Sequence, residues 1–160
     1  MPDMLVKLYE LPDFAPVLSK LEEQGIVIRR GLPPEKHLAG EWAERMFQRH
    51  WRSELETAYG RLPVSCFIAQ QVGDGKAEMV GFACYEATAK GFFGPTGVDP
   101  DQRGKGIGKG LLLAALHAMR AEGYAYAIIG GAGPTAFYEK EVGAIPIPDS
   151  APGIYRNMLR

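Results

Sequence analysis

A chain of 160 residues, 46% of them apolar, suffices for one domain with a real core, and no run approaches the roughly 18 consecutive apolar residues of a membrane span. Its net charge of -1, from 18 basic and 19 acidic residues, argues against bulk electrostatic binding of nucleic acid and leaves room only for a local basic patch. The N-terminal stretch MPDMLVKLYELPDF lacks a basic leader and is interrupted by Asp3, Lys7 and Glu10, so no signal peptide is expected, and Cys66 and Cys84 read as reduced core thiols of a cytoplasmic protein.

In chain order, LVKLYEL predicts a strand, and a helix follows with Asp13 as its N-cap, Phe14, Val17, Leu18 and Leu21 at helical spacing, and Gly25 as its stop. IVIRR (Ile26 to Arg30) predicts a second strand. Pro33 and Pro34 open a helix through Leu38, Trp42, Ala43, Met46 and Phe47. A break near His50 leads to a shorter helix with Trp51, Leu55, Ala58 and Tyr59, closed by Gly60. Ser65 to Gln71 and Glu78 to Ala87 flank the turn GDGK and read as a hairpin. Gly91 to Val98 is a glycine-interrupted strand whose Pro95 predicts a bulge or a splayed edge. A long helix from about Gly106 to Glu122 comes next, then the strand YAIIG, a short helix at Thr135 to Val142, and a closing hairpin of AIPI and GIYRNML. The order implies a mixed α/β fold on one central sheet.

The chemistry begins with DPDQRGKGIGKG, Asp99 to Gly110, which runs straight into the long apolar helix. At a helix N-terminus the first N–H groups lack intrahelical partners and the dipole is positive, so an anion is stabilised there. Glycines at 104, 106 and 108 keep Cβ atoms away from a bound phosphate, and Arg103, Lys105 and Lys109 add positive charge. A Walker loop fails because Arg103 stands where its first glycine is required and Gly110 where it needs Ser or Thr. The dinucleotide fingerprint, started at Gly104, has Lys109 in its third glycine place. The pattern [QR]-x-x-G-x-[GA] is matched by Arg103, Gly106 and Gly108.

That third pattern resembles the pyrophosphate loop of the GNAT-type N-acetyltransferases, which depend on acetyl-coenzyme A. IVIRRGLPPEK is similar to the family's opening strand and turn, and GPTAFYEKEVGA to its later helix. The resemblance covers residues 26–160 and implies a single N-acetyltransferase domain over 1–160. Its fold would be a single mixed, mostly antiparallel sheet flanked by helices, with residues 1–25 as an added N-terminal strand and helix. That extension would cover a sheet edge or form a homodimer contact.

By resemblance, the backbone of Gly97 and Val98 pairs with the pantetheine arm. Amides across Arg103, Gly104, Lys105, Gly106, Ile107 and Gly108 cradle the pyrophosphate, and the Val98 amide polarises the thioester carbonyl. Tyr138 matches the tyrosine that serves the leaving thiolate. The strand glutamate of some relatives is absent from GFFGPTGV, and Glu86 is the substitute base, on the strand face of Val80, Phe82 and Cys84. A water chain without a dedicated base is the alternative. Gly131 stands where relatives often carry an asparagine, and one residue more than the commonest spacing separates Tyr138 from Gly143.

Glu54 and Glu56 read either as solvated helix carboxylates or as groups that attract an amine. His37, His50 and His117 form no metal-ligand spacing, so no metal is expected. The implied reaction is acetyl transfer from acetyl-coenzyme A to the amine of a small molecule or peptide, without nucleic acid or membrane. An acyltransferase for longer chains and a non-catalytic coenzyme A-binding module are the alternatives.

Overall fold

The computed structural model describes residues 1–160. The elements are β1 (Met4–Lys7), α1 (Ala15–Glu23), β2 (Ile26–Arg30), α2 (Lys36–Met46), α3 (Arg49–Tyr59), β3 (Cys66–Gly73), β4 (Lys76–Tyr85), β5 (Phe92–Val98), α4 (Ile107–Ala121), β6 (Tyr126–Ile129), α5 (Thr135–Val142) and β7 (Ile145–Pro146). They form one seven-stranded sheet in the order β2-β3-β4-β5-β6-β1-β7. Every pairing is antiparallel except β5 with β6. No helix is long and apolar enough to cross a membrane.

Two apolar clusters hold the layers together. One joins α1 and α4, through Leu21, Leu111, Leu112 and Leu116, to the sheet. The other joins α2 and α3, through Trp42, Ala43, Leu55 and Tyr59, to Cys66, Ile68, Phe82 and Cys84. Helical spacing puts the apolar side chains of each helix on one stripe, and burying that stripe is what fixes the helix on the sheet. Between β3 and β4 the chain turns at Asp74 and Gly75, both at positive φ (50° and 73°), as a two-residue hairpin requires.

Two expectations need correcting. Helix α1 begins at Ala15 with Phe14 in the N-cap place and no side-chain cap, so Asp13 does not cap it. The closing hairpin does not form: Gly153–Tyr155 is a single 3₁₀ turn, and the two-residue β7 pairs with β1 instead. Pro146, Pro148 and Pro152 deny that segment the N–H groups a second ladder needs. The N-terminal strand pairs with β6 over all four residues and so covers that strand's edge, with the two-residue β7 on its other side.

The expected bulge on β5 is present. Register passes from Ala83↔Thr96 to Tyr85↔Phe93, so Gly94 and Pro95 together oppose Cys84. On its other side β5 meets β6 only at Phe92↔Ile128 and Phe93↔Ile129. Beyond Phe93 the two parallel strands part, and the sheet opens.

Candidate active site

The opening between β5 and β6 exposes a strand edge. The Asp99 N–H donates to the Val80 carbonyl at 2.8 Å. Alternate residues of an antiparallel strand face the same edge, so the Val98 N–H is turned the other way, into the opening. Past Val98, the Asp99 carboxylate accepts the Asp101 N–H at 2.9 Å and caps a 3₁₀ turn over Pro100–Gln102. Gly104 and Gly106 then stand at φ +86° and +88°, a region that side chains resist. Helix α4 starts from Gly106 without a side-chain cap, leaving its first N–H groups available.

A groove of about 660 Å³ follows this edge. Seven of the eight residues expected at the cofactor line it: Gly97, Val98, Arg103, Gly104, Gly106, Ile107 and Gly108. Lys105 does not. Its ammonium donates to Gln102 Oε1 at 2.6 Å and its carbonyl accepts from Gln24 Nε2 at 3.2 Å. Lys109 lines the groove and pairs with Glu141 of α5 at 3.1 Å.

A larger cavity of about 1200 Å³ adjoins the groove, and Trp51, Thr96, Pro134 and Tyr138 line both. Tyr138 is therefore at the junction. It is 6% exposed, its ring packs edge-on to Phe93 at 6.3 Å and tilts against Phe137 at 5.2 Å, and burial pushes its phenol up to about 12. A phenol so shifted stays protonated at neutral pH and is a donor, not a base.

Glu86 does not line this junction. Strand β4 ends at Tyr85, Glu86 turns to φ +57°, and its carboxylate accepts the Gly91 N–H at 2.6 Å to close the 86–91 turn. The side-chain alternation that pointed it inward fails earlier as well. Gln70↔Met79 is followed by Ala69↔Gly81, so Val80 is an extra residue and packs with one core while Phe82 and Cys84 pack with the other. Glu86 lines neither cavity.

The carboxylate in the larger cavity is Glu54, from α3. Thr88 donates its hydroxyl to Glu54 Oε1 at 3.1 Å. Burial holds the Glu54 carboxyl above its ordinary range, against the opposing pull of Thr88 and of nearby His50. A carboxylate desolvated in this way is a better proton acceptor than one in water. Glu56, one helical step away, is tied to Arg52 at 3.0 Å and does not line the cavity. The wall also includes Arg49 and His50 beside Glu54, Phe93, the Gly130–Gly133 loop after β6, and Tyr155 near the C-terminal end of the sequence. The Thr88 partnership and the folding back of Tyr155 carry no local sequence signal.

Comparison with known proteins agrees with this fold. The model of the acetyltransferase (GNAT) family matches residues 33–144. No curated protein matches the chain by sequence. Among solved structures, the chain is similar to a GCN5-related glucosamine N-acetyltransferase region in a fungal multi-domain β-N-acetylglucosaminidase, with TM-score 0.72 and 18% identity over 91% of this chain and 19% of that one. A GCN5-related N-acetyltransferase from Sphaerobacter thermophilus gives TM-score 0.63 and 19% identity over 91% of this chain and 48% of that one. A GNAT family acetyltransferase from Brucella melitensis, solved in complex with acetyl-CoA, gives TM-score 0.55 and 20% identity over 73% of this chain and 81% of that one. This chain thus spans half or less of the first two. At such identities the likenesses establish the fold.

Proposed function

The chain belongs to the GNAT family of acetyltransferases, and from that premise we propose that it moves an acetyl group from acetyl-coenzyme A to a primary amine held in the larger cavity. The observation that carries this reading is the junction: a bare, amide-lined groove and a cavity with a desolvated carboxylate meet at one protonated tyrosine.

The groove suits a pyrophosphate. A Cβ added at Gly104 or Gly106 would project into open space with no protein atom within 4 Å, the space that a ligand pressed onto the backbone would take. Amides around Gly104, Gly106, Ile107 and Gly108 would hold the phosphates, with Arg103 adding charge. When bound, acetyl-coenzyme A supplies an activated acyl group as its thioester. The Val98 N–H, turned into the opening, would polarise the thioester carbonyl.

The amine arrives as an ammonium and must lose a proton before its nitrogen can attack. Glu54 is the residue we assign to that proton, in place of Glu86. As the C–N bond forms and the C–S bond breaks, negative charge grows on sulfur, and the Tyr138 hydroxyl is the donor that answers it. The reading takes residues 1–160 as one cytoplasmic domain, in keeping with one continuous sheet and with free, buried Cys66 and Cys84.

The test is incubation of the protein with acetyl-coenzyme A and a panel of primary amines, following free thiol and the mass of the product. Amine-dependent thiol release with an N-acetylated product is the expected outcome. Tight cofactor binding without turnover on any amine would make the chain a binding module instead.

A further inference from the structure

Asp3 has no part in the transfer chemistry, yet it is only 8% exposed and is bonded on three sides. Its Oδ1 accepts the Gly131 N–H at 2.7 Å, its N–H donates to Ser150 Oγ at 2.8 Å, and its carbonyl accepts the Ile147 N–H at 2.8 Å. Beside it, the Pro2 carbonyl accepts the Ala132 N–H at 2.8 Å. These bonds tie the start of β1 to two segments far away in sequence: the loop after β6 and the stretch from Ile147 to Ser150. Ser150 donates its hydroxyl to the Ile147 carbonyl at 2.6 Å, so that turn is closed on itself and hung from Asp3.

What the turn delivers is Tyr155. Its hydroxyl rests on Gly130, where an added Cβ would lie 2.5 Å from the phenolic oxygen, and its ring reaches within 3.8 Å of a Cβ on Gly131. Tyr155 lines the same cavity as Glu54 and Tyr138. Burial, Glu54 and Asp3 all push its phenol upward, in keeping with a hydroxyl held between the two carboxylates. A buried acid that spends Oδ1 on the cavity-lining loop after β6, and its backbone N–H and carbonyl on the turn that leads to Tyr155, is placed to shape the cavity.

We propose that Asp3 is a positioning residue of the acceptor site: it pins the 147–155 segment to the loop after β6, so that Tyr155 forms a wall of the cavity and sets which amines fit. The proposal rests on the acetyl-transfer reading and deepens it. The N-terminal strand is on this account part of the acceptor site, since the Asp3 backbone holds the 147–150 turn and its side chain holds the Gly131 N–H of the loop on which Tyr155 rests.

The experiment is a double-mutant cycle, with glucosamine, lysine and spermidine as probes and the best of the three carried forward. Asp3→Ala and Tyr155→Ala are each expected to raise the acceptor KM about tenfold, with kcat and the acetyl-coenzyme A KM unchanged. Asp3→Asn keeps an oxygen for the Gly131 N–H and restores the acceptor KM. Because Asp3 acts through Tyr155, the double variant is no worse than Tyr155→Ala alone. Additive losses, or an equal rise in the acetyl-coenzyme A KM, would overturn the proposal. If Asp3→Ala does not fold, Ser150→Ala takes its place in the cycle, because it cuts the other arm of the tether, the bond from the Asp3 N–H to Ser150 Oγ. Wild type inactive on all three probes sinks the acetyl-transfer reading and this proposal with it; an active wild type whose acceptor KM ignores Tyr155→Ala sinks the proposal alone.

Discussion

The end of the groove beside the start of α4 is walled by backbone, whereas the cavity beyond Tyr138 draws side chains from elements scattered along the chain. At that end of the groove, Gly104, Gly106 and Gly108 contribute amides and an absence of Cβ atoms, while Phe47, Trp51 and Phe137 line the rest of it. In the cavity, Glu54 comes from α3, Thr88 from the turn after β4, Phe93 from β5 and Tyr155 from a turn hung on β1. A ligand common to a whole family can be held by main chain, which any sequence with the right glycines supplies. An acceptor particular to one protein has to be held by side chains, and those are free to change.

The variant with the largest expected effect strikes where the two regions meet. Tyr138→Phe keeps the ring against Phe93 and Phe137 and removes only the donor. We expect kcat and kcat/KM to fall together by about 10²–10⁴, the usual contribution of a general acid, with acetyl-coenzyme A affinity unchanged. A phenylalanine variant with wild-type kcat, under conditions where chemistry limits the rate, would take Tyr138 out of the mechanism.

Glu54→Gln strikes the side-chain region alone. It retains an oxygen for the Thr88 hydroxyl but cannot take a proton, and kcat should fall by about 10²-fold. Stability should move the other way. Burial raises the Glu54 carboxyl above its ordinary 4.5, so on raising the pH the unfolded chain loses this proton before the folded one does. Wild-type stability therefore falls from that ordinary value up to the raised one, and stays lowered above it. Glu54→Gln should melt higher than wild type at pH 8, and the gap should close at acid pH where Glu54 is protonated in both states. Melting curves at the two pH values check this; a variant that melts lower at pH 8 would mean the carboxylate is stabilising and not desolvated.

In the backbone region the effects should be smaller and confined to binding. Gly106→Val forces a branched side chain to φ +88° and puts its Cβ where a phosphate would rest, so the acetyl-coenzyme A dissociation constant should rise at least about tenfold, or 1.4 kcal/mol. Lys105→Ala should do least, because Lys105 does not line the groove and its ammonium is already engaged with Gln102. Titration calorimetry on the pair decides between backbone and charge: a lysine variant more damaging than the valine one would reverse the account.

The same division explains what could be read before the structure. Arg103, Gly106 and Gly108 lie within six residues, so the spacing that makes the loop is visible as a string. The bulge at Gly94-Pro95 and the helix from Thr135 to Val142 are local in the same sense and stand where the sequence puts them. Glu54 could be read only as a helix carboxylate with two fates, because what desolvates it and what bonds it, Thr88, arrive from elsewhere. Glu86 was misdirected by counting alternation through a bulge at Val80 and past the end of the strand. The closing hairpin failed for a topological reason: two short apolar stretches look alike whether they pair with each other or, as here, one pairs with a strand from the other end of the chain.

The sharpest test of that division is a crossover between two variants. Gly106→Ala is the probe of the groove, since its Cβ would meet no protein atom within 4 Å but would stand at φ +88° where a phosphate would rest. Acetyl-coenzyme A dissociation constants by calorimetry, and kcat at saturating cofactor, would be measured for Gly106→Ala and Glu54→Gln side by side. The account expects Gly106→Ala to weaken cofactor binding about tenfold with kcat near wild type, and Glu54→Gln to lose kcat with cofactor binding intact. Both variants losing both quantities together would contradict it.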